Sequence, residues 1–219
     1  EEFLRAIKKS LKLLEITMII KTFVAGFLEN NMYLVLDETS KKGVLIDATE
    51  CLPEIAEAAK GFDIEYIFLT HGHFDHILGL NDLKKTLNAK AVINSNDIVI
   101  SDNINEFTRL FNQPDSIPPT YELYIKDGDE INVGNLTFRV IATSGHTEGG
   151  VCYLIDDKLF SGDTLFRGSV GRTDLFGGNF KKLSDSIKNK LFKLDDKIKV
   201  YPGHGPETTI RQEKISNLI

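Results

Sequence analysis

Two rhythms of apolar and polar residues divide this chain near residue 18. In EEFLRAIKKSLKLLEIT (1–17), Phe3, Leu4, Ile7, Leu11 and Leu14 recur at helical spacing and predict an amphipathic N-terminal helix or extension. From Met18, itself an alternative start, the rhythm turns strand-like: MIIKTFV, MYLVLD and GVLIDA read as strands, the last broken by Asp47. Pro53 stands near the first turn of a helix in LPEIAEAAK, where a residue without an amide hydrogen is tolerated. The near-continuous apolar run IEYIFLT (64–70) predicts a strand buried on both faces. Ile77, Leu80, Leu83 and Leu87 then share one face of a helix, and AVIN, LTFRVIA, VCYLID and KLFSG follow as strands. A long amphipathic helix over 180–194 leads into IKVYPGHG, and a last helix closes the chain. Strands occur both in hairpins and in alternation with helices. That mixture predicts an α/β sandwich over residues 18–219 rather than a purely parallel doubly wound sheet.

Composition refines this only a little. A chain of 219 residues can bury a substantial core, and 42% hydrophobic content beside 26% charge is ordinary for a globular protein. A net charge of −6, with the lysine pairs scattered, argues against a nucleic-acid binder. Cys51 and Cys152 stand far apart and outside any C-x-x-C pair, so both read as small buried hydrophobes in a reducing cytoplasm. No apolar run approaches the roughly 20 residues a membrane span needs. A small molecule is therefore the expected partner, with neither nucleic acid nor membrane involved and the oligomeric state left open.

The histidines change the picture. There are five, and three fall in THGHFDH (70–76); His146 sits in TSGHTEGG and His204 in YPGHGPET. His71, His146, Asp163 and His204 each follow a predicted strand, where a rigid sheet can hold a loop side chain in place. Imidazole and carboxylate are ligand types for Zn²⁺, Mn²⁺ or Fe²⁺, and the lack of nearby cysteine argues against a soft structural site. An H-x-H pair brings two rings to one ion, while Asp75 and His76 point elsewhere and suggest a second.

Taken in order, His71-x-His73-x-Asp75-His76, His146, Asp163 and His204 resemble the metallo-β-lactamase superfamily, with Asp47 in VLIDAT fitting its first motif. The resemblance spans roughly residues 18–210. It implies an αββα sandwich of two mixed β-sheets flanked by helices, with the site at one edge. It further implies a first metal on His71, His73 and His146, a second on Asp75, His76 and His204, and Asp163 bridging both. Asp47 would orient a ligand, and Asp75 and Asp163 would be the catalytic carboxylates. The implied cofactors are two divalent ions, zinc foremost, with iron or manganese as alternatives. Two such ions activate a water and stabilise developing negative charge.

Within the superfamily, SGDTLFRGSVGRTDLFGG (161–178) looks like the short bacterial glyoxalase II-like hydrolases. The expected reaction is hydrolysis of hydroxyacylglutathione-type thioesters or similar small acyl substrates. GRTD also resembles the mono-iron persulfide dioxygenases, and a non-catalytic metal-binding module is a third reading. Arg172 is a candidate for substrate contact or for a structural pair with Asp174. After PGHGPETT only a short helix remains where full-length glyoxalase II continues, so weak binding of the glutathione moiety is expected. Residues 101–122, with three prolines, are the candidate substrate-side wall.

Overall fold

A computed structural model describes residues 17–217 and 219, so the helix expected over 1–17 lies outside the described residues except for Thr17. Two six-stranded sheets face each other. The first runs β1 (Met18–Ala25), β2 (Asn30–Asp37), β3 (Lys42–Ile46), β4 (Asp63–Phe68), β5 (Lys90–Asn94) and β6 (Leu123–Ile125), in that spatial order. The second is ordered β14 (Thr208–Thr209), β13 (Lys199–Pro202), β10 (Lys158–Gly162), β9 (Val151–Ile155), β8 (Leu136–Ala142) and β7 (Glu130–Val133). A short hairpin pairs β11 (Leu165–Phe166) with β12 (Ser169–Val170).

Alternation along each strand builds the layers, because successive side chains leave a strand on opposite faces. Tyr33, Val35, Val44, Ile46 and Phe68 point inward and meet Phe138, Val140, Tyr153 and Phe160 of the other sheet. The intervening Leu34, Leu36, Leu45 and Ile67 point outward, against α1 (Pro53–Ala58) and α3 (Leu80–Leu87). Cys152, Leu159 and Val200 do the same on the far side, under Leu183 and Ile187 of α6 (Phe180–Asn189). The result is the four-layer αββα sandwich that the sequence predicts. Strands buried on both faces carry no polar rhythm, which is why IEYIFLT reads as a continuous apolar run.

Two helices differ from expectation, and the wall segment holds helices of its own. The helix expected through Ile77 and Leu87 is two pieces, α2 (Phe74–Ile77) and α3, because Ala48 donates to the His76 carbonyl and Gly79 donates to the Ala48 carbonyl, both at 2.8 Å. The strand β3 exit loop thus takes the hydrogen bonds that would have continued the helix. The helix expected over 180–194 stops at Asn189 and passes into a 3₁₀ turn at Leu191–Lys193. The wall region begins inside α4 (Ile98–Asp102) and holds α5 (Ile104–Leu110), separated by Asn103. Cys152 is fully buried, whereas Cys51 is only half-buried, beside Thr86.

Direction matters most for the site. Strands β3 and β4 are parallel, as are β10 and β13, and β8 runs with β10 because each is antiparallel to β9. All five deliver their C-terminal ends to one edge of the sandwich. There the sheets are tied together by Val151 N–H donating to the Thr70 carbonyl at 2.8 Å and by a backbone bridge between Asn30 and His204.

Candidate metal centre

The residues Asp47, His71, His146, Asp163 and His204 all lie just past those strand ends. His71 and His73 stand two residues apart in the stretch between β4 and α2, and His73, with extended backbone, is the residue from which α2 starts. Asp75 and His76 ride the single turn of α2, and that change of backbone splits the THGHFDH cluster into two groups. His71, His73 and His146 place one ligand atom each within 4.8 Å of one another, and Asp75, His76 and His204 do likewise. His71, His76 and Asp163 form a third such group, which links the first two.

Outer hydrogen bonds fix which nitrogen faces inward. His76 Nδ1 donates to Asp47 Oδ2 at 2.9 Å, His146 Nδ1 to the Arg172 carbonyl at 2.7 Å, and His204 Nδ1 to the Leu28 carbonyl at 3.0 Å. His71 Nδ1 lies 3.0 Å from Thr70 Oγ1, which itself donates to Asp47. Each of these four rings therefore turns a bare Nε2 toward the centre, the arrangement by which outer partners set ring orientation and tautomer. Asp47 holds its place at φ 61°, a left-handed conformation rare for a residue with a side chain, and also accepts the Thr70 amide at 2.8 Å.

The edges that involve the carboxylates have the length of a coordination shell, whereas His73 Nδ1 and His146 Nε2 stand at hydrogen-bond distance, 2.8 Å. His76 Nε2 lies 3.4 Å from Asp75 Oδ2 and 3.3 Å from Asp163 Oδ1, and His204 Nε2 lies 3.5 Å from both Asp75 Oδ2 and Asp163 Oδ2. His146 Nε2 is 3.6 Å from Asp163 Oδ2. Tetrahedral ligands about 2.05 Å from one ion stand about 3.3 Å apart, longer than a good charged hydrogen bond. His71 Nε2 and Asp163 Oδ1 are buried and have no hydrogen-bond partner in the protein, while His73 turns Nδ1 to the cluster, 2.8 Å from His146 Nε2. Buried polar atoms are normally satisfied, and a divalent cation would satisfy these two. The donor set fits the metal.

Protein charges alone divide the rings into two kinds. Burial and the neighbouring His146 ring bring His73 down to about 3, and burial with His76 beside it holds His71 well below the usual imidazole range. Burial also opposes charge on His204, but Asp163 and Asp75 outweigh it and raise that ring to about 9. His76, between Asp75, Asp163 and Asp47, is raised well above its ordinary value despite burial.

Two residues of this region carry no signal in the sequence. Asp97, fully buried, accepts Gly72 N–H at 2.9 Å, Thr147 Oγ1–H at 2.7 Å and Gly149 N–H at 2.6 Å. It thereby clamps the loop carrying His71 and His73 to the loop carrying His146. A Cβ on either Gly72 or Gly149 would come within 2.7 Å of Asp97, which explains the glycine between the two histidines and the one after Glu148. The other residue is Asn30, whose carboxamide reaches Asp75. Arg172 rims the site, but its guanidinium is half-exposed and forks onto Asp174 at 2.7 and 2.8 Å.

A cavity of about 270 Å³ opens over the cluster. Its apolar wall is Leu28, Phe74, Phe111, Phe166 and Leu175. Phe111 is the contribution of the 101–122 segment, packed 5.1 Å from the Phe74 ring.

An αββα sandwich with imidazoles and carboxylates gathered at one edge defines a metal-binding protein of the metallo-hydrolase class. Residues 25–204 match the Metallo-beta-lactamase superfamily, and the chain belongs to it. It is 31% identical to the hydroxyacylglutathione hydrolase GloC of Haemophilus influenzae, over 86% of this chain and 92% of that one. Among solved structures it resembles the BLEG-1 B3 metallo-beta-lactamase (TM-score 0.84, 31% identity, 91% of this chain and 98% of that one). ETHE1 from Myxococcus xanthus gives a TM-score of 0.78 at 31% identity, over 92% and 84% of the two chains. TTHA1623, solved in a di-iron-bound form, gives 0.79 at 32%, over 90% and 98%.

Proposed function

We propose that this chain hydrolyses thioesters of the hydroxyacylglutathione type, or similar small acyl compounds, at a centre of two divalent cations. Zinc is the leading candidate, with iron or manganese as alternatives. The observation that carries the reading is the position of Asp163 between the trios, with Oδ1 3.3 Å from His76 and Oδ2 3.6 Å from His146 and 3.5 Å from His204. His71, His73 and His146 would hold one cation and Asp75, His76 and His204 the other, with Asp163 shared. Two cations so held lower the pKa of a water and stabilise the negative charge that develops on the acyl oxygen and the leaving group.

The chain's own residues do the rest. Asp47 and Thr70 fix the His76 and His71 rings, and Asp97 fixes the loops that carry His71, His73 and His146. Asp75 borders the mouth, and its carboxylate would pass a proton from the attacking water to the departing thiolate. As the carbon–sulfur bond breaks, that proton leaves a neutral thiol. The apolar wall would receive an uncharged acyl or thiol group, whereas Arg172, already committed to Asp174, is the one arginine or lysine among the described residues that line the cavity. Contacts missing equally from ground and transition state raise KM before they lower kcat.

The expected result is slow but real cleavage of S-lactoylglutathione with a high KM, and better use of a simpler apolar thioester. Protein loaded separately with Zn²⁺, Mn²⁺ and Fe²⁺ should be assayed on both. Rapid oxygen uptake by the Fe²⁺-loaded protein with glutathione persulfide, without thioester cleavage by any form, would replace this reading with the dioxygenase one.

A further inference from the structure

Asn30 is fully buried at the start of β2, and its amide nitrogen is the common neighbour of the whole second trio. Nδ2 lies 2.7 Å from Asp75 Oδ2, 3.0 Å from His76 Nε2 and 3.4 Å from His204 Nε2. An NH₂ group has two hydrogens and cannot satisfy three such atoms. Meanwhile its Oδ1 is buried without any partner. Thr49 Oγ1, also buried and unpartnered, borders with Asn30 a second cavity of about 570 Å³ that shares Asp75 with the mouth.

These oddities have one resolution. A carboxamide is nearly symmetric in shape, and its terminal torsion is soft, so a half turn exchanges nitrogen and oxygen at small cost. The turned group aims the orphan Oδ1 at the trio and sends the NH₂ toward the cavity that Thr49 and Glu50 border. The backbone keeps the residue where this works. Asn30 is bridged to His204 itself, Asn31 N–H donates to the Gly203 carbonyl at 2.7 Å, and Asn31 Nδ2 donates to the Pro202 and Gly205 carbonyls at 3.0 and 2.8 Å. In the orientation seen, the NH₂ hydrogens occupy acceptors that otherwise face a cation.

We propose that Asn30 is a further ligand of the second cation, through Oδ1, beside Asp75, His76, His204 and the shared Asp163. The proposal rests on the two-cation reading above. An amide oxygen is a neutral, hard donor suited to a divalent ion that already has imidazole and carboxylate around it.

The test is a Zn²⁺ titration of the full chain after chelator treatment, followed by calorimetry, elemental analysis after desalting, and the absorption bands of a Co²⁺-loaded sample. The wild type should retain two ions per chain. Asn30→Ala should leave the first binding step unchanged, weaken the second at least tenfold, and alter the Co²⁺ bands of the second ion only. Asn30→Asp, which keeps an oxygen in place, should retain both. A second step that is unchanged or tighter in Asn30→Ala overturns the proposal. If Asn30→Ala does not fold, loss of the second ion from Asn30→Asp decides against it. A wild type that takes up one ion or none at saturation defeats the two-cation reading itself, which is a different result from failure of Asn30 alone.

Discussion

Asp97 shows what a single buried acceptor does for residues it never touches chemically. Burial raises its pKa, and the three donors from Gly72, Thr147 and Gly149 oppose that shift without cancelling it. Asp97→Ala leaves those donors buried and unpaired, at a combined cost of about 3–5 kcal/mol. The thermal midpoint should fall on the order of 10 °C, and the variant should also retain less metal after desalting. An unchanged midpoint would mean that water replaces the carboxylate without loss. The five histidines, Asp75 and Asp163 are legible in the sequence because their chemistry is written in residue type and spacing. Asp97 and Asn30 are not, since an aspartate in NSND or one asparagine of a pair acquires its task only from the atoms that folding brings beside it.

At the scale of elements, alternation and strand-end placement were readable, and competition for backbone hydrogen bonds was not. The break between α2 and α3 depends on Ala48, nearly thirty residues upstream of Ile77, so the local pattern of Ile77, Leu80, Leu83 and Leu87 reads as unbroken. The turns at the opposite edge raise a separate matter of pH. Asp37, at the end of β2, accepts the amides of Thr39, Ser40 and Asn135 at 2.9, 3.2 and 2.8 Å, together with the Ser40 hydroxyl at 2.5 Å and Asn135 Nδ2 at 2.9 Å. Burial pushes its pKa up, but these bonds outweigh burial and hold it below the usual carboxylate value of 3.8. A depressed carboxylate stabilises the fold fully above the unfolded value, and that contribution is lost as pH falls through the folded one. Asp37→Asn should therefore be less stable than wild type at neutral pH, and the gap should close below about pH 4. Denaturant midpoints of both proteins across pH 3–7 measure this, and a gap independent of pH would assign the effect to packing.

For the molecule as a whole, every proposed ligand comes from residues 30–204, and residues 1–17 supply none. Removing 1–17 should leave metal content and thioester turnover largely intact. A truncated chain that folds normally yet turns over no substrate would place the N-terminal segment at the site. The division of labour between the sheets has a consequence of another kind. His71, His73, Asp75 and His76 follow strands of one sheet, whereas His146, Asp163 and His204 follow strands of the other. Ions held across that seam bind only when the two halves are closed on each other. Binding at a hundredfold excess over Kd then adds about 2.7 kcal/mol to the closed form for each site. The survival of the folded chain against proteases would thereby track the free metal concentration around it, so the centre proposed to carry out the chemistry would also set how long the protein lasts when metal is scarce.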